Sequence, residues 1–161
     1  MFGAITIFFD QRGFMRFSPA FRALSLSLAV AGCASAAPVF SNPTSEPLGP
    51  YSQVAEAGGL VFVSGVIAVD PTSGQFSAAN IQDQSRQALS NLDAMLVSQG
   101  LSREDVVKTT VFLRDPADMR GMNAVYAEFF GAHRPARTTV PGADWGTPNI
   151  LIEIEAIAVR R

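Results

Sequence analysis

The spacing of apolar residues changes character several times along the chain. Residues 51–57 and 60–64 read as two strands, and Gly58-Gly59 between them signals a tight hairpin. Residues 66–69 extend or follow the second strand, and the Asp70-Pro71-Thr72-Ser73-Gly74 run is a turn. From 80 to 99 the period becomes helical. Ile81, Ala88, Leu89, Leu92, Met95 and Leu96 fall on one stripe, with Gln82, Arg86 and Asp93 on the other side. Asn80 is placed to cap this helix, Asp83 adds a favourable first-turn charge, and Gly100 ends it.

Residues 106–113 predict a strand in which Val107, Val111 and Leu113 share a face with Thr109, while Lys108 and Thr110 point the other way. Asp115-Pro116 opens a second helix, since proline at the first position lacks only an N–H that would be unpaired anyway. Its apolar stripe is Met119, Met122, Tyr126, Phe129 and Phe130, and Gly131 and Pro135 close it. Residues 136–140 and 150–159 are the last strands. The order ββ-α-β-α-ββ predicts a two-layer α+β domain, with two helices on one face of a mixed sheet. The other sheet face is also expected to be apolar in places, at Val61, Val63 and Ile154. Covering such a face takes a partner, so the pattern predicts an oligomer.

Residues 1–40 differ from the rest and read as an export segment, with 41–47 as a Pro/Ser tether and 48–161 as the domain. Met15-Arg16 begins a typical signal of basic residues, a short apolar run and small residues, which makes Met15 a candidate true start. The apolar run is too short to span a bilayer comfortably. Two cleavage readings stand side by side. Val30-Ala31-Gly32-Cys33 resembles a lipobox, which makes Cys33 a lipidation candidate and the only means of membrane attachment. Ala34-Ser35-Ala36 is an A-x-A site for ordinary secretion. Either reading puts the body in the periplasm, free or lipid-anchored.

Charge and composition narrow the function classes. The whole chain has 12 basic and 14 acidic residues; without Arg12, Arg16, Arg22 and Asp10 the body keeps 9 basic against 13 acidic. An acidic body with one lysine, Lys108, fits nucleic acid poorly. With one cysteine and one histidine, His133, neither an internal disulfide nor a Cys/His zinc cluster is possible.

Two features carry candidate chemistry. The run from 150 to 159 alternates, so Leu151, Glu153, Glu155, Ile157 and Val159 share one face. Two carboxylates among apolar residues are either a rim, a pair of ion-pair partners, or a pocket acid able to orient water or act as base. Arg137 enters a strand in RPARTTV. It is either a surface or ion-pair residue or a planar fork for a substrate carboxylate.

GPYSQ, LVFVSG, VVKTTVFL, MNAVYAEFFG, RPARTTV and IEIEAIAV occur in that order. Over residues 47–161 this series resembles the RidA/YjgF family of reactive-intermediate (enamine/imine) deaminases. The resemblance implies a chorismate-mutase-like fold, a homotrimer with pockets between subunits, and hydrolysis of small 2-imino acids to 2-oxo acids and ammonia. It implies no cofactor and no metal. Carried over by motif, Arg137 is the carboxylate-binding residue and Glu153 positions the attacking water. Tyr51, Ser64, Asn123 and Thr139 take substrate-binding positions. Three departures concern the pocket: Val66 follows Ser64-Gly65 in place of glutamine, Thr139 stands where a cysteine is familiar, and 141–149 (PGADWGTPN) is longer and carries Trp145. Trp145 either lids the pocket or packs as a loop aromatic. The competing function is a non-catalytic module of the cell envelope that binds a small carboxylate.

Overall fold

The structure is a computed structural model that describes residues 8–9, 15–16, 36–44, 46–76 and 80–161. Cys33 and the lipobox lie outside these residues. The chain divides into Met1–Ala34 and Ser35–Arg161. In the first unit β1 (Phe8–Phe9) pairs antiparallel with β2 (Met15–Arg16). No helix among the described residues is long and apolar enough to cross a membrane.

The second unit is built on a six-stranded mixed sheet: β3 (Val39–Ser41), β4 (Val54–Ala57), β5 (Leu60–Ile67), β6 (Val106–Leu113), β7 (Ala136–Pro141) and β8 (Ile152–Val159). Their spatial order is β3-β4-β5-β8-β6-β7. Only β6 and β7 run parallel; the chain crosses between them through the second helix. The sheet starts earlier than the sequence pattern suggests. Val39 and Phe40, read as export segment, and Ser41, read as tether, pair with β4.

Gly58 and Gly59 both have positive φ (58° and 77°), and Ala57 pairs with Leu60, so the hairpin closes in two residues. Helix α1 (Ile81–Ser98) starts at Asn80, whose side chain accepts from the Asp83 N–H at 2.9 Å. The expected stripe is buried, together with Gln84 and Ser85. A 3-10 turn (Pro116–Asp118) capped by Asp115 precedes α2 (Met119–Phe130), so the proline lies just ahead of the α-helix proper. Helix α2 buries Met122, Val125, Tyr126 and Phe130. His133 is structural: its Nε2–H donates to the Val106 carbonyl at 2.7 Å.

Both helices cover one face of the sheet, as the pattern predicts, but two side-chain assignments change. Val61, Val63 and Ile154 are at most 3% exposed, on the helix-covered face. The uncovered face instead presents Leu60 and Phe62, which are 36% and 39% exposed. The run 60–63 is apolar on both faces, so alternation cannot say which face takes the helices. In β6 the register slips between Val106 and Lys108 against β8. The bulge sends Val107 outward, 46% exposed, and puts Val106 in the core beside Thr109, Val111 and Leu113.

Candidate functional site around Arg137 and Glu153

Arg137 lies on the edge strand β7 opposite Thr109, and Thr109 is fully buried on the helix-covered face. The guanidinium therefore lies against α2. One arm donates to Asn123 Oδ1 at 2.7 Å, and the carbon of the fork sits 4.6 Å from the centre of the Tyr126 ring. Tyr126 is fixed in turn by a 2.8 Å hydroxyl hydrogen bond to Thr109. Burial pushes the Tyr126 phenol up, opposed by the Thr109 hydrogen bond and the Arg137 charge. The ring thus stays neutral beneath a cation, a favourable stacking arrangement. Thr139 is two residues along the same strand, and so on the same face. None of the five ion pairs among the described residues involves Arg137. The fork is oriented by neutral partners, and no described carboxylate pairs with its charge.

Glu153 occupies the opposite face. Its neighbours Ile152 and Ile154 are fully buried beneath the helices, so its side chain projects from the uncovered face, opposite Phe112 and Ile67. Glu155 lies on the same face and is exposed. Glu153 Oε2 accepts a 2.7 Å hydrogen bond from Trp145 Nε1–H. Its other oxygen rests against Gly65, where an added Cβ would come within 2.0 Å of Oε1. Burial pushes the Glu153 carboxyl up from its ordinary value, the Trp145 hydrogen bond opposes this, and the Glu155 charge adds to it. A carboxyl raised by desolvation is suited to exchange protons nearer neutrality.

A bulge in β5 creates the space beside Glu153. Three steps from Val63 to Val66 face two steps from Ala156 to Ile154, leaving one extra residue at Ser64-Gly65. The Ser64 N–H is redirected to the Gln53 carbonyl at 2.9 Å. Tyr51, 46% exposed, lines a cavity of about 200 Å³ that also includes Gly65, Val66 and Ile67. Val66, where the resemblance leads one to expect glutamine, is 3% exposed within the core. A larger open groove of about 1040 Å³ runs along Asn80, Arg114, Asp115 and Arg120, and includes none of the expected site residues. The smaller cavity includes Tyr51 but neither Glu153 nor Arg137, and Asn91, Ala94 and Met95 of α1 close its other side.

The structure thus gathers Arg137, Asn123 and Thr139 on one side of the sheet. Ser64 and Glu153 adjoin Gly65 and its bulge, while Tyr51 lines the cavity between that bulge and α1. It does not bring Arg137 and Glu153 together within one chain, because the sheet separates them.

The model of the family described as Endoribonuclease L-PSP matches residues 42–160. The chain belongs to this family, RidA/YjgF. Among its RidA/YjgF relatives, a RutC family protein of Pyrococcus horikoshii is 44% identical over 122 residues, covering 76% of this chain and 96% of that one. Reactive Intermediate Deaminase A, chloroplastic, of Arabidopsis thaliana is 40% identical over 141 residues, 88% of this chain and 73% of that one. The crystal structure of Escherichia coli TdcF with bound serine superposes with a TM-score of 0.68 at 38% identity, covering 76% and 98% of the two chains. The expected α+β chorismate-mutase-like fold is therefore that of this chain.

Three residues at the site escaped the sequence pattern. Arg114 holds the loop between β7 and β8: Nε donates to the Ile150 carbonyl at 2.8 Å, one NH2 group to the Thr147 carbonyl, and the other to Asp144 at 3.3 Å. Gln84, 2% exposed, donates to the Asn149 carbonyl at 2.7 Å and accepts from the Leu151 N–H at 2.9 Å. Tyr126 reads as a core aromatic and also serves as the platform for Arg137.

Proposed function

We propose that this RidA/YjgF protein is a deaminase of small 2-imino carboxylates, working in a site that two subunits of a homotrimer complete together. The observation that carries the reading is Arg137. Its guanidinium is stacked and hydrogen-bonded by neutral groups and has no carboxylate partner among the described residues, in a family with relatives named as reactive intermediate deaminases. A fork held this way matches a carboxylate in two parallel hydrogen bonds. The placement of Arg137 and Glu153 on opposite sheet faces supports a site shared between subunits, since one chain cannot present both to one small molecule.

In the proposed reaction Arg137 grips the substrate carboxylate, aided by Asn123 and Thr139. Glu153 of the adjoining subunit takes a proton from water as the water oxygen bonds to the imine carbon. That proton passes to nitrogen to give a carbinolamine; the same carboxylate then carries the hydroxyl proton to nitrogen as the C–N bond breaks, so ammonia leaves and the carbonyl of a 2-oxo acid remains. The imine carbon is already electrophilic, so orientation and proton relay through one carboxylate supply the catalysis. Ser64 stands beside Gly65 on the Glu153 side, and Tyr51 completes the substrate-binding set from the adjoining cavity. Export through the N-terminal segment belongs to the same proposal and is tested by fractionating cells.

The test is hydrolysis of 2-iminobutanoate and 2-iminopropanoate generated in situ by an amino-acid oxidase. Turnover above buffer is expected, with loss in both Arg137→Ala and Glu153→Ala. Ligand stabilisation that depends on Arg137, without turnover of any imine, would instead identify a carboxylate-binding module.

A further inference from the structure

We propose that Trp145, held by Arg114, is a positioning residue that sets the orientation and ionisation of the Glu153 carboxylate. The inference rests on the deaminase reading for its kinetic part and on geometry for the rest. Trp145 is half-buried in the loop between β7 and β8. Its Nε1–H reaches one carboxylate oxygen of Glu153 at 2.7 Å. Indole nitrogen is a donor only, so it prefers the charged carboxylate and always binds the same way round. The second oxygen, Oε1, has no hydrogen-bond partner among the described residues and lies over Gly65. One oxygen is thus fixed, and the other is available to a water or a substrate proton.

The loop is built to hold this arrangement. Gly142 and Gly146 adopt φ of 82° and 70°, which lets the chain turn tightly on both sides of Trp145. The Ala143 N–H donates to the Leu113 carbonyl at 3.0 Å, and Asp144 caps the Gly146 N–H at 3.0 Å. Arg114 spans the loop base through its contacts to Ile150, Thr147 and Asp144, and its guanidinium carbon lies 5.6 Å from the Trp145 ring centre. A cation over the indole polarises the ring and favours a negative partner at its N–H. Among the described residues the charged neighbour of Glu153 is Glu155 on its own strand, and Arg114 and Asp144 stand with Trp145 in the loop. The strands beside it place Phe112 and Ile67 opposite it.

Trp145 is the only tryptophan, so its emission is a direct probe. In the unsubstituted chain the emission should titrate with Glu153, at a midpoint above the ordinary carboxylate value of 4.5. The transition should vanish in Glu153→Gln and survive in Asp144→Asn. Trp145→Phe keeps the ring and loses the donor. It should lower kcat at least tenfold, leave KM within about twofold, and move the acid limb of the rate profile to higher pH, as expected when a charge-stabilising hydrogen bond is removed. An emission transition that persists in Glu153→Gln overturns the proposal, as does a wild-type kcat and acid limb in Trp145→Phe. A chain that hydrolyses no imine yet shows the Glu153-dependent transition overturns the deaminase reading and supports the coupling of Trp145 to Glu153.

Discussion

Replacing Gly65 by alanine tests the geometry of the Glu153 seat. The added methyl would stand 2.0 Å from Oε1, 2.5 Å from Cδ and 2.9 Å from Cγ of Glu153. Ordinary non-bonded separation is about 3.5 Å, so the carboxylate must retreat by about 1.5 Å. A free glutamate would swing aside at little cost. This one is tethered by the 2.7 Å bond from Trp145, and a retreat of that size takes the pair well beyond hydrogen-bonding range. Hydrogen bonds to charged groups contribute about 1.5–3 kcal/mol, equivalent to about 10- to 150-fold in rate if the oriented carboxylate is needed in the transition state. The assay is kcat and KM on an imine, with circular dichroism to confirm the fold. Gly65→Ala should lose at least tenfold in kcat with KM little changed, because Arg137 still binds the substrate carboxylate. The loss should shrink when Trp145→Phe is already present, since the tether is then gone. Wild-type kcat in Gly65→Ala would refute the reasoning.

Two further outcomes follow from buried polar groups. The folded Glu153 carboxyl lies above its unfolded value, so the folded state holds its proton more tightly; stability then falls as pH rises from the unfolded value through the folded one. Glu153→Gln should therefore raise Tm at pH 7, with the gain disappearing at about pH 4, and a constant difference across pH would contradict the shift. Gln84→Leu leaves the Asn149 carbonyl and the Leu151 N–H unpaired, which should cost about 2–4 kcal/mol in denaturant unfolding; an unchanged midpoint would show that neither group depends on Gln84.

Much of this was legible in the chain itself, and the rest was hidden for identifiable reasons. Helix α1 could be read because its stripe, cap and first-turn acid all agree, and Asn80, Asp83 and the Leu residues stand as the period implies. Alternation placed Glu153 and Glu155 on one face because β8 has no bulge within that run. The same reasoning failed at Val107, where a bulge interrupts the period, and at Val61 and Val63, where both faces are apolar. Arg114 and Gln84 left no trace in the pattern because their partners are backbone groups of a loop that only tertiary folding brings near. Trp145 stood out as a departure, but which carboxylate it meets depends on how the loop between β7 and β8 folds back. Arg137 and Glu153 were picked out by residue type and motif; their separation by the sheet became visible only with the strand register.

That separation permits a direct test of the shared site. Arg137→Ala and Glu153→Gln chains, each inactive alone, are unfolded together and refolded as a mixture. In a ring where each site takes its arginine from one subunit and its glutamate from the next, random assembly restores about a quarter of the sites. The account predicts imine hydrolysis recovering to about that fraction of wild type, and a mixture as inactive as its two components would contradict it.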